Sequence, residues 1–298
     1  MFKFRQILDV AAYNFRQWRY SPRVIIVFAL AFVLCFLLSD KAVRFAEHYG
    51  TVLQIGEPFV WTFGDATNIL LISLLLVLLF ADMPFVTPGT PFYLTRTTRT
   101  VWLLGQIIYI CVATTIFVAF ILLATSALCA HISFAGNQWS ETAAILGYSG
   151  TGLVVSLPAS VKTMQMSSPY ACMSAIYVLI LLYALLMVSV MLVFNLWRGQ
   201  FWGIFSTFIF SLFGLLLNPE VFISMFELQP EQSYRARVAV GWLSPLNHAT
   251  YYMHNFGYDL LPRLEDTYLI FLAAIAVMFG TALHTMRSYN FEFTGTER

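Results

Sequence analysis

Long apolar runs alternate with short polar interruptions along most of the chain. A helix crossing a bilayer needs about 20 apolar residues. Six stretches have that character, at 23–39, 66–84, 100–130, 170–194, 202–218 and 267–286. They predict an all-α polytopic membrane protein of six transmembrane helices, forming a single transmembrane domain over 1–298. The third run is overlong, so it must tilt or protrude. The fifth is short and stops at Asn218-Pro219, where proline ends or redirects a helix. Residues 1–21 follow a different pattern. Phe4, Leu8, Ala11, Phe15 and Trp18 recur at helical spacing, with Lys3, Arg5, Arg16 and Arg19 mostly on other faces. This predicts an N-terminal interfacial helix, its basic residues on anionic headgroups. Pro22 and Arg23 open the first span, which reads as a full span rather than a secretory signal.

Charge then orients the spans. With both termini cytoplasmic, ten basic residues fall inside (Lys3, Arg5, Arg16, Arg19, Arg23, Arg96, Arg99, Arg198, Arg287, Arg298) and six outside (Lys41, Arg44, Lys162, Arg235, Arg237, Arg263). Eleven of the 15 acidic residues fall outside. The excess of Lys and Arg marks the cytoplasmic side. The segment 85–99 is then cytoplasmic and 219–266 extracytoplasmic. The outer segment carries WLSPLNHATYYMHNFGYDLLP, whose aromatics suit an outer gate or simple interfacial anchoring.

Composition agrees: 59% of residues are apolar and 10% charged, against about 25% charged in soluble domains. The net charge of +1 argues against a nucleic-acid partner. Cys35, Cys111, Cys129 and Cys172 lie in or beside apolar runs and read as buried thiols, although a Cys129–Cys172 disulfide stays open if both reach the outer face.

Motifs for chemistry are sparse. There is no GxxxxGK[ST] and no HExxH, so neither a phosphate loop nor that zinc site is encoded. His248 and His254 are six residues apart and on one helix would point to different faces, which suits interfacial polar residues better than metal ligands. Gly147-Tyr148-Ser149-Gly150 has the GxSG form of rhomboid proteases, with His284 as a conceivable base. Ser149, however, precedes a polar run holding Pro158 and Lys162 rather than opening a span. Neither cofactor nor metal is expected. Ionisable residues are nearly absent from span interiors, which disfavours an ion-coupled carrier. The polar residues there are mild and read first as helix-packing groups; Asn68, Gln106, Thr114 and Ser206 are the candidates to line a pathway.

Between the second and third runs lies FADMPFVTPGTPFYLTRTTR, residues 80–99. Thr90-Pro91 reads as an N-cap followed by proline at the first helical position, predicting a short helix over about 91–97. It would present Phe92, Tyr93 and Leu94 to a partner or the interface, and Arg96 and Arg99 to headgroups or acidic groups. Asp82 and Pro84 read as the end of the second span. The architecture, and the phrase LLFADMPFVTPGTPFYLTRTTRTVWLLGQIIY, resemble the membrane subunits of type-2 ATP-binding-cassette (ABC) exporters. The resemblance implies that Thr90–Arg99 is a coupling helix docked on a separate nucleotide-binding ATPase, present in two copies. It also implies a second permease subunit, identical or homologous, with a pathway between the two. The expected function is permeation of an amphipathic substrate (peptide, lipid or hydrophobic drug) across a bacterial cytoplasmic membrane, with no catalysis by this chain. The alternatives are a scaffold or sensor without a pathway, and an ion-coupled carrier.

Overall fold

The computed structural model describes residues 2–86, 90–154, 157, 159–217, 223–227 and 229–289. It is all-helical except for two strands of two residues each, Leu53–Gln54 and Ser133–Phe134, which pair in parallel. The helices are α1 Phe2–Gln17, α2 Pro22–Tyr49, α3 Glu57–Phe63, α4 Ala66–Phe80, α5 Thr90–Leu94, α6 Arg99–Cys129, α7 Glu141–Tyr148, α8 Thr151–Val154, α9 Val161–Met166 and α10 Pro169–Arg198. Then follow α11 Gln200–Leu216, α12 Pro230–Leu243, α13 Pro245–Ala249 and α14 Leu264–Thr285.

Local chemistry sets these boundaries. Pro22 and Pro169 occupy first-turn positions of α2 and α10, where the missing N–H costs nothing. Gly50, at φ +64°, closes α2 with N–H bonds back to the last turn, the usual left-handed helix stop. Asp65 caps α4 through Thr67 and Asn68, and Ser140 caps α7 through Ala143. Gly199, at φ +90°, separates α10 from α11.

The core is built around α10, which is apolar all round and packs on α3, α4, α6, α11, α13 and α14. A helix hydrophobic on every face belongs inside. By contrast, α2 and α14 sit at the periphery, and they expose Ile25, Phe36, Leu269 and Val277. The small residues Gly203, Thr207, Ser211 and Gly214 of α11 are buried, while Phe201, Phe208 and Leu212 point outward. Small residues let helices approach closely where the surroundings are as apolar as the contact.

Among the described residues, four helices (α2, α6, α10, α14) are each long and apolar enough to cross a membrane. The pair α3–α4, bent by 87°, makes a fifth if taken as one broken span. Helix α11 has 17 residues, about 25 Å of rise, short of a hydrocarbon core of about 30 Å. Boundaries depart from the sequence reading in two places. Helix α2 continues to Tyr49 because Ala42, Phe45 and Ala46 keep an apolar stripe against Leu53, Leu146 and Leu157. Helix α4 stops at Phe80, ahead of Asp82 and Pro84. Cys129 and Cys172 are buried free thiols, so the optional disulfide does not form.

Helix α1 also does more than lie on a surface. Its Val10, Ala11 and Asn14 are buried, whereas Phe4 and Leu8 of the expected apolar stripe are exposed. A Cβ on Gly105 would sit 2.6 Å from the Val10 Cβ, so the bare glycine lets α1 press onto α6. Asn14 donates to Gln106 at 2.8 Å and Trp18 donates to the Tyr109 hydroxyl at 2.6 Å, fixing the register of the two helices.

The bundle therefore has two distinguishable ends. The basal end gathers α1, the 85–99 segment and the C-terminus of α14. The distal end holds the strand pair, α7, α9 and the 251–262 segment.

Candidate functional site

At the basal end, Arg23 opens α2 and its guanidinium meets the Asp82 carboxylate at 2.5 Å. The other Asp82 oxygen accepts from the Gln200 side chain at 2.6 Å. Behind them, the Asn195 amide donates to the carbonyls of Ala81 (3.0 Å) and Met83 (2.7 Å). The ends of α2, α4, α10 and α11 thus meet at the turn after α4. The Arg23–Asp82 pair is about 40% exposed on each side; water screens it, and its role is to fix geometry more than to add stability. Sequence reasoning treated Asp82 as a span end. The available signal was one of only four carboxylates on a side that carries ten basic residues.

The segment leading into α6 is hooked at two points. Arg99 donates to the carbonyls of Arg287 (3.3 Å) and Tyr289 (2.9 Å), just past α14. A cation there complements the negative helix terminus. On the other side, the Arg96 carbonyl accepts from Gln6 of α1 at 3.5 Å. The short helix α5 spans Thr90–Leu94, shorter than the predicted 91–97, and Thr90 is its buried first residue rather than a cap outside it. Thr98 caps α6 instead, accepting from Val101. Pro91 and Leu94 are half-buried, and Leu94 packs on the main core. The side chains of Phe92 and Tyr93, and residues 87–89, lie outside the described residues. Beside this region a cavity of about 100 Å³ is lined by Asn14, Gln17, Trp18, Arg23, Phe85 and Tyr109. Drug-sized ligands occupy roughly 300 Å³ or more, so it does not hold an amphipathic substrate.

The four candidate pathway residues are spread along the bundle. Asn68 donates to the Thr62 carbonyl in the first turn of α4, at the distal end. Gln106 accepts from Asn14 and donates to Phe85, at the basal end. Ser206 bonds its own helix at Gly203. Thr114 is fully buried and its hydroxyl has no hydrogen-bond partner.

Ser149 follows α7, its hydroxyl donating to the Ile145 carbonyl. Gly147 abuts Met164 and Val161, so this turn belongs to the distal end. His284 occupies the last turn of α14, at the basal end. Serine and histidine therefore lie at opposite ends of the bundle.

His248 and His254 do not share a helix. The first ends α13, the second follows a 3₁₀ turn at Tyr251–Met253, and both side chains converge on Thr267. Its hydroxyl oxygen is 2.8 Å from His248 Nδ1 and 3.0 Å from His254 Nε2. Burial lowers the basicity of both imidazoles, that of His254 to about 4. The spacing hid this because the Thr250 break reverses the chain between them. No group of three or more metal-ligating side chains occurs among the described residues.

Comparison with family models, curated proteins and solved structures finds no match.

Proposed function

We propose that the chain is the permease subunit of a type-2 ABC exporter, with six spans, both termini cytoplasmic and the basal end facing the cytoplasm. The observation that supports this most is the placement of residues 90–99. This segment is tied to α1 through Gln6–Arg96 and to the end of α14 through Arg99, so a force on it reaches the N-terminal helix and the last long helix together. Lys3, Arg5, Arg16, Arg19, Arg23, Arg96, Arg99 and Arg198 cluster at that end, as the positive-inside tendency requires of a cytoplasmic face. In this reading two ATPase subunits close on ATP and push Thr90–Arg99 of two permeases. The amphipathic substrate passes between the permeases in a bacterial cytoplasmic membrane. The chain carries out no chemistry itself.

Co-purification from native membranes tests the reading. An ATPase without membrane spans is the expected companion, and its absence overturns the proposal. Phe92→Ala combined with Tyr93→Ala is expected to release the ATPase while the spans stay folded. Wild-type ATPase stoichiometry and transport in that variant would refute the coupling role.

A further inference from the structure

The distal end holds a cluster that transport through a permease does not use. His248, His254 and Thr267 are all fully or nearly fully buried. His248 Nε2 faces the Trp242 carbonyl at 3.0 Å and His254 Nδ1 faces the Tyr251 carbonyl at 3.0 Å. A carbonyl only accepts, so both of these nitrogens carry hydrogen. In a neutral imidazole the other nitrogen is then a bare lone pair. Those two lone pairs, His248 Nδ1 and His254 Nε2, converge on the single Thr267 hydroxyl. A threonine hydroxyl has one hydrogen to give. With both rings neutral, the cluster is one hydrogen short and one buried lone pair goes unmet.

We propose that His248, Thr267 and His254 form a one-proton binding site, in which a proton taken up at His248 Nδ1 completes a chain from that N–H to the Thr267 oxygen and from the Thr267 O–H to His254 Nε2. Every donor and acceptor of the three side chains that faces another is then matched. The one covalent change is the N–H bond formed at His248 Nδ1 with a proton delivered from water; otherwise only hydrogen bonds rearrange. The proton settles on His248 because burial, and then the neighbouring His248 and Lys162, hold His254 down to about 4.

The surroundings resist a second charge at His254. Lys162, from α9, donates to the His254 carbonyl at 2.9 Å and pairs with Asp259 at 2.6 Å. The rings of Trp242 and Phe271 flank His248 at 6.5 and 6.0 Å between centroids. Tyr251 supplies a carbonyl and sits near Cys172 and Tyr268, which raise its own basicity after burial does. Tyr252 feels Asp65. Immediately before Thr267, Asp266 accepts from the Arg263 N–H rather than reaching the cluster. The site joins the α12–α13 corner to the first turn of α14, so proton occupancy sets how firmly this distal corner is fastened.

The test is imidazole NMR of the full chain, labelled at histidine and held in lipid nanodiscs, titrated from pH 7.5 to 4.5. The expected result is uptake of one proton by the pair. His248 should titrate below 6.5, and His254 Nε2 should stay unprotonated while its resonance moves with the His248 midpoint. Thr267→Val should lower the His248 midpoint by about one pH unit or more, since a hydrogen bond to a charged group is lost. Thr267→Ser, which keeps the hydroxyl, should restore it. Two protons taken up over that range, or a midpoint indifferent to Thr267→Val, would overturn the proposal. So would a stoichiometric zinc or copper ion retained on these nitrogens. If Thr267→Val does not fold, the proton count of the wild type and the Thr267→Ser midpoint decide.

Discussion

Asn195 and Gly203 show how one side chain holds several helix ends together. The Asn195 amide bridges two carbonyls of the turn after α4. It fits only because residue 203 has no side chain: a Cβ there would lie 1.6 Å from Asn195 Oδ1. Gly203→Ala must therefore displace the amide and leave the buried Met83 carbonyl and the part-buried Ala81 carbonyl without it, costing about 1–3 kcal/mol for the buried group and less for the other. The expected outcome is a lower melting temperature of the detergent-solubilised protein, together with a changed environment at Asp82, readable by cysteine labelling of Asp82→Cys in either background. Gly214, whose Cβ would meet Leu246 at 3.0 Å (Cβ), 3.6 Å (N) and 3.9 Å (Cα), should tolerate alanine far better. Glu57 plays a similar part at the distal end. It is fully buried and accepts from the Gln54 N–H, the Ser140 N–H and the Ser140 hydroxyl. Glu57→Ala strands three donors and should cost about 3 kcal/mol or more, while Glu57→Gln keeps an acceptor oxygen and should cost less. Thermal unfolding of the two variants side by side checks the order. In the sequence Glu57 was only one acid among those on the outer side, because nothing local announces a partner at residue 140.

At the scale of elements, the apolar runs made the long helices readable, since a span must carry its own hydrophobicity. Their packing was not readable. The amphipathic pattern of 1–21 predicted the helix but not its seat, because the contact that decides it is a bare Gly105 in another apolar run. Gly105→Leu should push α1 off α6 and break the Asn14–Gln106 and Trp18–Tyr109 bonds; overpacking of this kind costs about 1–3 kcal/mol. A shift in Trp18 fluorescence would report the undocking, and Gly105→Ala should give a smaller one. The corner from α12 to α14 was likewise hidden, since Thr250 breaks the helix on which the two histidines would have diverged. Its burial has a consequence for stability. His254 binds its proton at about 4 in the folded protein against an ordinary 6.5. Unfolded chains therefore take up that proton first as pH falls. The contribution of His254 is complete above 6.5 and is lost as pH falls through about 4. The melting temperature should be level between pH 8 and 7 and decline below 6.5, and His254→Gln should flatten part of that decline.

For the whole molecule, the two ends of the bundle carry different chemistry, and this asymmetry ties fold to function. Basic residues and the 85–99 hook gather at the basal end. The distal end has polar fastenings: Glu57 with Ser140 and the two histidines with Thr267, all buried, and the partly exposed pair Lys162 with Asp259. A polar contact buried away from water must be internally matched, and the Glu57 and histidine groups meet that requirement with partners from distant parts of the chain. The basal end joins buried contacts, Asn14 with Gln106 and Asn195 with Met83, to the half-exposed Arg23–Asp82 pair. Whether α11 crosses the bilayer decides how the six-span reading stands. Helix α11 is short, yet its terminus is met by α13: Ser244 donates to the Gly214 carbonyl at 3.0 Å, and Leu246 lies against Gly214. That contact places the far end of α11 beside the distal corner, while Gly199 and Gln200 start it beside Asp82 at the basal end. On the proposed six-span reading, α11 runs between these two landmarks and α13 makes up the missing length. Single cysteines introduced at Gln6, Arg198 and Arg287 should therefore react with impermeant maleimide only from the cytoplasmic side of oriented vesicles, and cysteines at Ser149, Tyr258 and Leu260 only from the other. If Arg198 and Tyr258 were labelled from the same side, α11 would be re-entrant. Five crossings would remain, and Arg287 could not share a face with Gln6.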